Sequence, residues 1–225
     1  MSALYVTAAR TIGRARNRFQ TAVAIGGFLA VSALFFALGL ESAEGGELSV
    51  AVVWATSVGY ALPALAALLS MDVWSEEFQT GRIDLMLTLA VRERDFVFGK
   101  FFGVLIQMMF AIVLSVVLSV SLLAVQAPQT LEGCGYGAFL LAMAALFVQS
   151  TLWSALGVAM STMFRHSATV VCSSLVLMVV LPRGLWFGMR AWALSGRPSF
   201  GEFPFDAHLI DIASGMVPVG MVIAY

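Results

Sequence analysis

Long apolar runs separated by short polar segments make up most of this chain. The runs cover residues 21–40, 48–71, 101–125, 136–164, 167–188 and 212–225. A helix of about 20 apolar residues, rising ~1.5 Å per residue, crosses the ~30 Å hydrocarbon core of a bilayer. The pattern therefore predicts an all-α integral membrane protein in which the first five runs are spans. The last run is shorter, and we interpret it as most of a sixth span that continues beyond Tyr225.

The composition supports this prediction and argues against several kinds of site. Of the 225 residues, 60% are hydrophobic and 11% are charged, which is typical of membrane proteins. No basic patch with interleaved aromatic residues indicates nucleic-acid binding. Cys134 and Cys172 stand in unlike surroundings and predict neither a disulfide framework nor a metal site. His166 and His208 fall on opposite sides of the membrane in the predicted topology, so we expect no shared metal ion.

The start of the chain combines apolar positions at helical spacing with arginines. This pattern favours a short helix in the membrane interface, residues 1–20, over a disordered basic tail. The apolar run that follows is too long for the core of a cleavable signal, so we expect it to be retained as span one. Within that span, a stripe of small residues would let another helix approach closely. The stripe consists of Gly26, Ala30, Ala33 and Ala37.

Basic residues are distributed unevenly about the predicted spans. With the N-terminus on the cytoplasmic side, nine lie inside and three lie outside. The inner residues are Arg10, Arg14, Arg16, Arg18, Arg82, Arg92, Arg94, Lys100 and Arg165, and the outer ones are Arg183, Arg190 and Arg197. Cytoplasmic loops of membrane proteins carry an excess of Lys and Arg. We therefore expect a multi-pass protein with a cytoplasmic N-terminus.

The segment between spans two and three, residues 72–95, holds most of the charge on the predicted inner side. Its apolar residues share one helical face and its polar residues the other. The apolar face has Trp74, Phe78, Leu85 and Leu89; the polar face has Asp72, Ser75, Glu76, Gln79 and Asp84. Acidic residues accompany the basic ones, so anionic lipid is not the obvious partner. Two interpretations stay open: a surface helix half sunk in the interface, and a helix presented to a soluble partner.

Small and hydroxyl-bearing residues share one face of span four. They are Ser150, Ser154, Gly157 and Ser161, at spacings of four, three and four. Such a face either packs against another helix or lines a groove for a substrate. Gln107 and Gln149 are the most deeply placed strongly polar side chains of the spans.

Aromatic residues and arginines are mixed in the longest outer segment, residues 183–211. This mixture is typical of a piece that lies at the depth of the lipid headgroups. We expect an interfacial or re-entrant segment that could face a partner on the outer side.

The residues that are missing also limit the function. No ionisable residue lies in the middle of spans one to five, whereas carriers driven by protons or sodium usually need one for coupling. The chain has no glycine-rich phosphate loop, so any ATP must be hydrolysed by another chain. Glu76 and Glu77 followed by Arg82 are similar to the motif of intramembrane CAAX-type proteases. The arginine is one residue too far and the motif lies outside an apolar helix, so we expect no enzyme.

An ordered series of residues between positions 62 and 103 identifies a family resemblance. The series is Pro63, Ala64, Glu76, Glu77, Gly81, Leu85, Leu87, Thr88, Leu89, Gly99 and Lys100. It resembles the permeases of type-2 ABC transporters, most closely the gliding-motility-associated (GldF-like) branch. Arg82 stands where that family favours Thr or Ser, and Ala90 replaces a proline. A looser resemblance extends over most of the chain.

The resemblance implies a six-span permease of the bacterial inner membrane that binds no cofactor itself. Its partners would be cytoplasmic ATPase subunits carrying ATP and Mg²⁺, and a second permease, identical or paralogous. The helix after span two would be a coupling helix that contacts the ATPase. Its candidate contacts are Glu76, Glu77, Phe78, Gly81, Arg82 and Leu85. The function implied is that of a transporter subunit of the exporter type. The alternative is a scaffold that relays ATPase motion to an envelope or gliding machine without moving a solute.

Overall fold

The computed structural model describes residues 19–43, 50–81, 93–126 and 136–181. These residues are 95% helical and include no strand. The all-helical prediction is therefore confirmed for the described part of the chain. The predicted interfacial helix at residues 1–20 lies almost entirely outside it, and the outer segment 183–211 and the last apolar run lie wholly outside it.

The described helices follow the predicted apolar runs, except that the helix of the third run begins at Glu93, eight residues before the predicted start. They are α1 (Phe19–Ala43), α2 (Val50–Ser70), α3 (Asp72–Gln79), α4 (Glu93–Gln126), α5 (Tyr136–Met163) and α6 (Ser167–Leu175), which continues into a π-helical segment (Val176–Val180). Four of the described helical stretches are long and apolar enough to cross a membrane. They are α1, the continuous stretch of α2 and α3, α4, and α5. The part of predicted span five that the structure describes, Ser167–Val180, is apolar but shorter.

Helix α2 lies at the centre of the described bundle. It packs against α1, α4, α5 and α6. In its most apolar stretch 72% of residues are buried, against 17% in α1 and 33% in α4 and α5. Trp54, Leu62 and Leu65 of α2 are among the most deeply buried large side chains of the core. The other helices therefore surround α2, and α1, α4 and α5 each have large apolar side chains that no described residue covers.

The face by which α1 packs differs from its small-residue stripe. Residues four apart on α1 are buried, and they are Ala24, Phe28, Ser32 and Phe36. Gly26 and Ala30 of the stripe are exposed, and a Cβ added at Gly26 would meet nothing within 4 Å. The close approach of α1 to α2 occurs instead at Gly39, where an added Cβ would lie 2.5 Å from Cγ1 of Val53. Among the described residues, Gly26 and Ala30 of the stripe thus form no helix–helix contact.

Helix α3 is a continuation of α2 and is shorter than the predicted segment. Met71, the single residue between them, has helical backbone angles of φ −57° and ψ −38°. Helix α3 ends because Gly81 has φ +67°, in the left-handed region that suits glycine at a helix C-terminus. The amide of Thr80 closes the last turn with a 3.0 Å bond to the carbonyl of Glu76. The continuous helical face predicted through Leu85 and Leu89 is therefore interrupted, and both residues lie outside the described ranges.

Candidate functional site at the polar end of the bundle

Polar side chains are concentrated where α3 meets the beginning of α4 and the junction of α5 with α6. We call this region the polar end; it consists of residues 71–81, 94–100 and 161–167. Ser75 and Glu77 on α3 are buried, whereas Gln79, Thr80 and Gly81 are exposed. Helix α3 is therefore held by one side and presents the other. This arrangement follows from the amphipathic sequence of α3. Among the short described helices, α3 alone has both charged and aromatic residues.

A buried ion pair joins α3 to α4. The ammonium of Lys100 contacts the carboxylate of Glu77, and each side chain is only 4% exposed. The same ammonium donates to the carbonyl of Val73 at 2.5 Å. It also lies 3.8 Å from the centre of the Trp74 ring and 4.8 Å from that of Phe96. A buried ammonium needs a partner for its charge and acceptors for its protons, and residues of α3 supply both.

Aromatic packing reinforces the same contact. The rings of Trp74 and Phe96 meet edge to face with centres 5.5 Å apart, a favoured geometry for aromatic pairs. Since Lys100 lies against both rings, the rings of Trp74 and Phe96 shield the ion pair between Lys100 and Glu77 from water. Low polarity around two opposite charges strengthens their attraction and also raises the cost of removing either one. Helix α3 and the start of α4 are therefore joined as one rigid unit.

Hydrogen bonds join α3 to the junction of α5 and α6. The amide of Trp74 donates to the hydroxyl of Ser161 at 3.1 Å. The hydroxyl of Ser167 donates to the carboxylate of Asp72 at 2.7 Å and lies 3.0 Å from the hydroxyl of Ser75. These bonds connect residues that are 87 to 95 positions apart in sequence. Helix α3 is thus fixed to two further helices besides α4.

The far end of α3 has one more bond to the same junction. The side-chain amide of Gln79 donates to the carbonyl of Arg165 at 2.9 Å. This bond is exposed to solvent, so we expect it to contribute less than the buried bonds near Asp72. It nevertheless restrains the last turn of α3 immediately before Gly81.

The candidate contacts on α3 divide into exposed, half-buried and buried residues. Glu76 and Phe78 are half-buried, and Gly81 is exposed. Glu77 is buried and points into the chain, where it pairs with Lys100. Arg82 and Leu85 lie outside the described residues. The surface of α3 that a partner could reach in this chain is therefore formed by Glu76, Phe78 and the exposed last turn.

The serine-rich face of α5 forms a packed contact within this chain. Ser150, Ser154 and Ser161 are fully buried. The hydroxyl of Ser154 donates to the sulfur of Met108 at 2.9 Å, and that of Ser150 donates to the carbonyl of Phe147 at 2.7 Å. A Cβ added at Gly157 would lie 2.5 Å from the hydroxyl oxygen of Ser70. The small residues thus allow α5 to approach α2 and α4 closely.

The two glutamines have different surroundings. The side chain of Gln107 donates to the carbonyl of Gly103 on its own helix at 3.1 Å. Gln149 is 9% exposed, and its amide oxygen finds no hydrogen-bond donor among the described residues.

The sequence did not indicate the role of Lys100. It stands at the edge of an apolar run and is 23 positions from Glu77, so no local spacing connects the two. The one available signal is that a lone charge bordering a span needs an opposite charge at the same depth. Ser167 was likewise not singled out, although it joins Asp72 and Ser75.

The described residues contain no cluster of three His, Cys, Asp or Glu side chains that could hold a metal ion. No protein-family model matches the chain, and a comparison with curated proteins gives no significant match.

Proposed function

We propose that this chain is the transmembrane subunit of an ATP-driven transporter, with ATP hydrolysed by a separate cytoplasmic chain. The observation that carries the proposal is the attachment of α3. An eight-residue helix extends from the most buried helix of the bundle and is bonded to α4, α5 and α6 at the same time.

This attachment gives α3 the mechanical property that such a subunit needs. A partner that displaces α3 moves α2 directly, because only Met71 separates the two helices and it is helical. The Glu77–Lys100 pair carries the displacement to α4, and Ser161 and Ser167 carry it to α5 and α6. Packed interfaces transmit small shifts as rigid-body motions. A push on one short helix is therefore distributed over most of the described bundle.

The proposal also includes the orientation of the chain in the membrane and its pairing with a second permease. The N-terminus and α3 lie on the cytoplasmic side of a bacterial inner membrane, and six spans pair with those of a second permease. The uncovered apolar faces of α1, α4 and α5 are available for lipid and for that second permease. Glu76 and Phe78 contact the ATPase, and acidic residues on α3 complement basic ones on that partner.

The experiment is affinity capture of the full chain from membranes in mild detergent, followed by measurement of ATP hydrolysis in the captured complex. The variant Glu76→Ala with Phe78→Ala removes the two proposed contact side chains of α3 without changing the buried pair. Phe98→Ala is the matched control, because Phe98 is 52% exposed at the same end of the bundle but lies on α4. We expect the wild type and the control to capture a nucleotide-binding chain and the double variant to lose it.

Two results would overturn the proposal. One is the absence of any nucleotide-binding chain in the captured wild-type complex. The other is labelling of a cysteine placed at Phe78 by an impermeant reagent from the outer side of intact cells.

The scaffold alternative uses the same contact with an ATPase but moves no solute. Its expected partner surface, residues 183–211, lies outside the described residues. Reconstitution of the captured complex in liposomes separates the two functions, since ATP-dependent movement of a solute or lipid supports the transporter and excludes the pure scaffold.

A further inference from the structure

A groove between α1 and α2 opens on the surface of the bundle. Its volume is 560 Å³. It runs from Gln20 and Met71 at the polar end to Val31 and Tyr60. Apart from Gln20 and the tip of Tyr60, the side chains that line it are apolar. Both walls belong to helices that are long and apolar enough to cross a membrane, so the groove opens toward the hydrocarbon of a bilayer.

The groove is one leaflet deep. Along α1 it extends over the twelve positions from Gln20 to Val31, and along α2 over the twelve from Met71 to Tyr60, which is eleven helical steps on each wall. At ~1.5 Å per residue each wall is about 16 Å long, close to half of a ~30 Å hydrocarbon core. Phe35 and Tyr60, whose ring centres are 6.2 Å apart, lie together at its deep end. A spanning helix would need twice this length, whereas the tail of a single lipid fits it.

The groove is open where small residues line its two walls. Gly27 and Ala64 lie on opposite walls. A Cβ added at Gly27 would meet nothing within 4 Å, in contrast to Gly39 farther along α1, where it would collide with Val53. Gly27 therefore does not bring the two helices together. It leaves space that an apolar chain can fill, and filling such space recovers contacts that the lining side chains otherwise lack.

The mouth of the groove indicates which lipid would be held. Gln20 places a polar amide at the end nearest the chain's N-terminus. In the sequence, Arg18 stands two positions before it, and Arg10, Arg14 and Arg16 precede that. A cluster of basic residues immediately before a membrane span attracts anionic headgroups. We propose that the groove binds one acyl tail of an anionic phospholipid from the leaflet at the polar end. This site does not depend on the presence of an ATPase.

The test uses phosphatidylglycerol that carries a photoreactive group near the end of one tail, with the full chain in nanodiscs. Labelled positions are mapped by peptide mass spectrometry, and phosphatidylcholine with the same tail is the comparison lipid. We expect phosphatidylglycerol to label the deep end of the groove, around Val31 and Tyr60, more strongly than phosphatidylcholine does.

Two adjacent glycines provide a matched pair of variants. Gly27→Leu places a side chain inside the groove, whereas Gly26→Leu places the same side chain on the exposed face beside it; neither position has an opposing atom within 4 Å. We expect Gly27→Leu to lower labelling of the groove by about tenfold, because excluding as few as about two methylene groups costs that much affinity. We expect Gly26→Leu to leave it unchanged. Ala64→Leu enters the groove from α2 and serves as a second test if Gly27→Leu does not fold.

Three results would overturn the inference. The first is labelling spread evenly over the exposed face of α4, around Val113 and Val117, with no preference for the groove. The second is equal labelling in the Gly26 and Gly27 variants. The third is a crosslink between two copies of the chain formed through the groove, which would identify its occupant as a second subunit. Equal labelling by both lipids would overturn the choice of an anionic headgroup.

Discussion

The two sides of α2 are built differently. Toward α5, α2 makes a close contact in which Gly157 lies against Ser70, and α3 continues that contact with bonds to Ser161 and Ser167. Toward α1, the close contact at Gly39 and Val53 lies at the opposite end, and the helices diverge into an apolar groove at the polar end. At the polar end, therefore, the described bonds bind α2 and α3 to α4, α5 and α6 rather than to α1.

This difference separates two kinds of helix contact. Directional bonds between buried polar groups specify one arrangement, since a misplaced partner leaves a buried group unsatisfied. Apolar surfaces in lipid have no such requirement, because a lipid tail replaces a side chain at little cost. We infer that the α2–α5 side moves as one body and that the α1–α2 side can adapt.

Removing one member of the buried ion pair should have the largest effect. Lys100→Met leaves the carboxylate of Glu77 buried without its partner, which costs about 3–5 kcal/mol. Thermal unfolding in detergent measures it, and Arg94→Met, at an exposed position of the same helix, is the control. The double variant Glu77→Leu with Lys100→Met should regain most of the loss, since no unpaired charge remains. Equal stability of Lys100→Met and Arg94→Met would show that the pair does not join α3 to α4.

Adding one methyl group to the α2–α5 contact should have the next largest effect. Gly157→Ala places a Cβ 2.5 Å from the hydroxyl of Ser70 and 3.3 Å from the carbonyl of Ala66, so the helices must separate at a cost of about 1–3 kcal/mol. Gly26→Ala adds the same group in open space and should instead stabilise α1 slightly, by up to about 1 kcal/mol. The two variants are compared by thermal unfolding, and the expected result is shifts of opposite sign. A neutral Gly157→Ala would mean that the α2–α5 side is adaptable after all.

Loss of a single hydrogen bond at the polar end should have a smaller effect. Ser161→Ala leaves the amide of Trp74 without the hydroxyl it now contacts, at a cost of about 1 kcal/mol. Thr162→Ala is the neighbouring control, because that hydroxyl bonds only the carbonyl of Ala159 on its own exposed helix face. Amide hydrogen exchange of α3 reports the difference directly. If exchange in α3 rises equally in both variants, the bond to Ser161 does not restrain the helix.

The exposed bond of Gln79 should matter least. Gln79→Ala removes the contact with the carbonyl of Arg165, and its exposure limits the loss to below about 1 kcal/mol. We expect faster exchange only in the last turn of α3, with no change in the unfolding temperature. A loss as large as that of Ser161→Ala would show that solvent access is not what distinguishes these bonds.

The sequence predicted where the helices lie better than which way they face. Predicted spans one, two and four match their helices to within about three residues, because an apolar run of sufficient length has few alternatives in a bilayer. The helix of predicted span three begins eight residues early, at Glu93 instead of Phe101. The direction that each helix face points was harder to predict, because lipid and protein core are both apolar. The usual contrast between a buried apolar face and a solvated polar face is therefore absent. The stripe at Gly26 and Ala30 was therefore predicted as a contact, whereas Phe28 and Phe36 form the contact in the structure.

The polar end was predicted as a region but not as a set of contacts. The amphipathic pattern located α3, and the serine face of α5 was recognised with two open interpretations. The partners of these residues could not be derived, because Glu77 meets Lys100 and Trp74 meets Ser161 only after four helices have packed. The end of α3 at Gly81 was also missed, since a glycine in a charged segment can either continue a helix or end it in the left-handed conformation.

Because the helix is continuous through Met71, a tilt of the whole stretch displaces its two ends by different distances. The helical stretch Val50–Gln79 contains 30 residues, about 45 Å of axis at ~1.5 Å per residue. A tilt of about 10° around its Val50 end carries Gln79 through about 8 Å but moves Trp54 by only about 1 Å. In such a tilt a large displacement at Gln79 becomes a small displacement near Val50, where Trp54 stacks on Phe139.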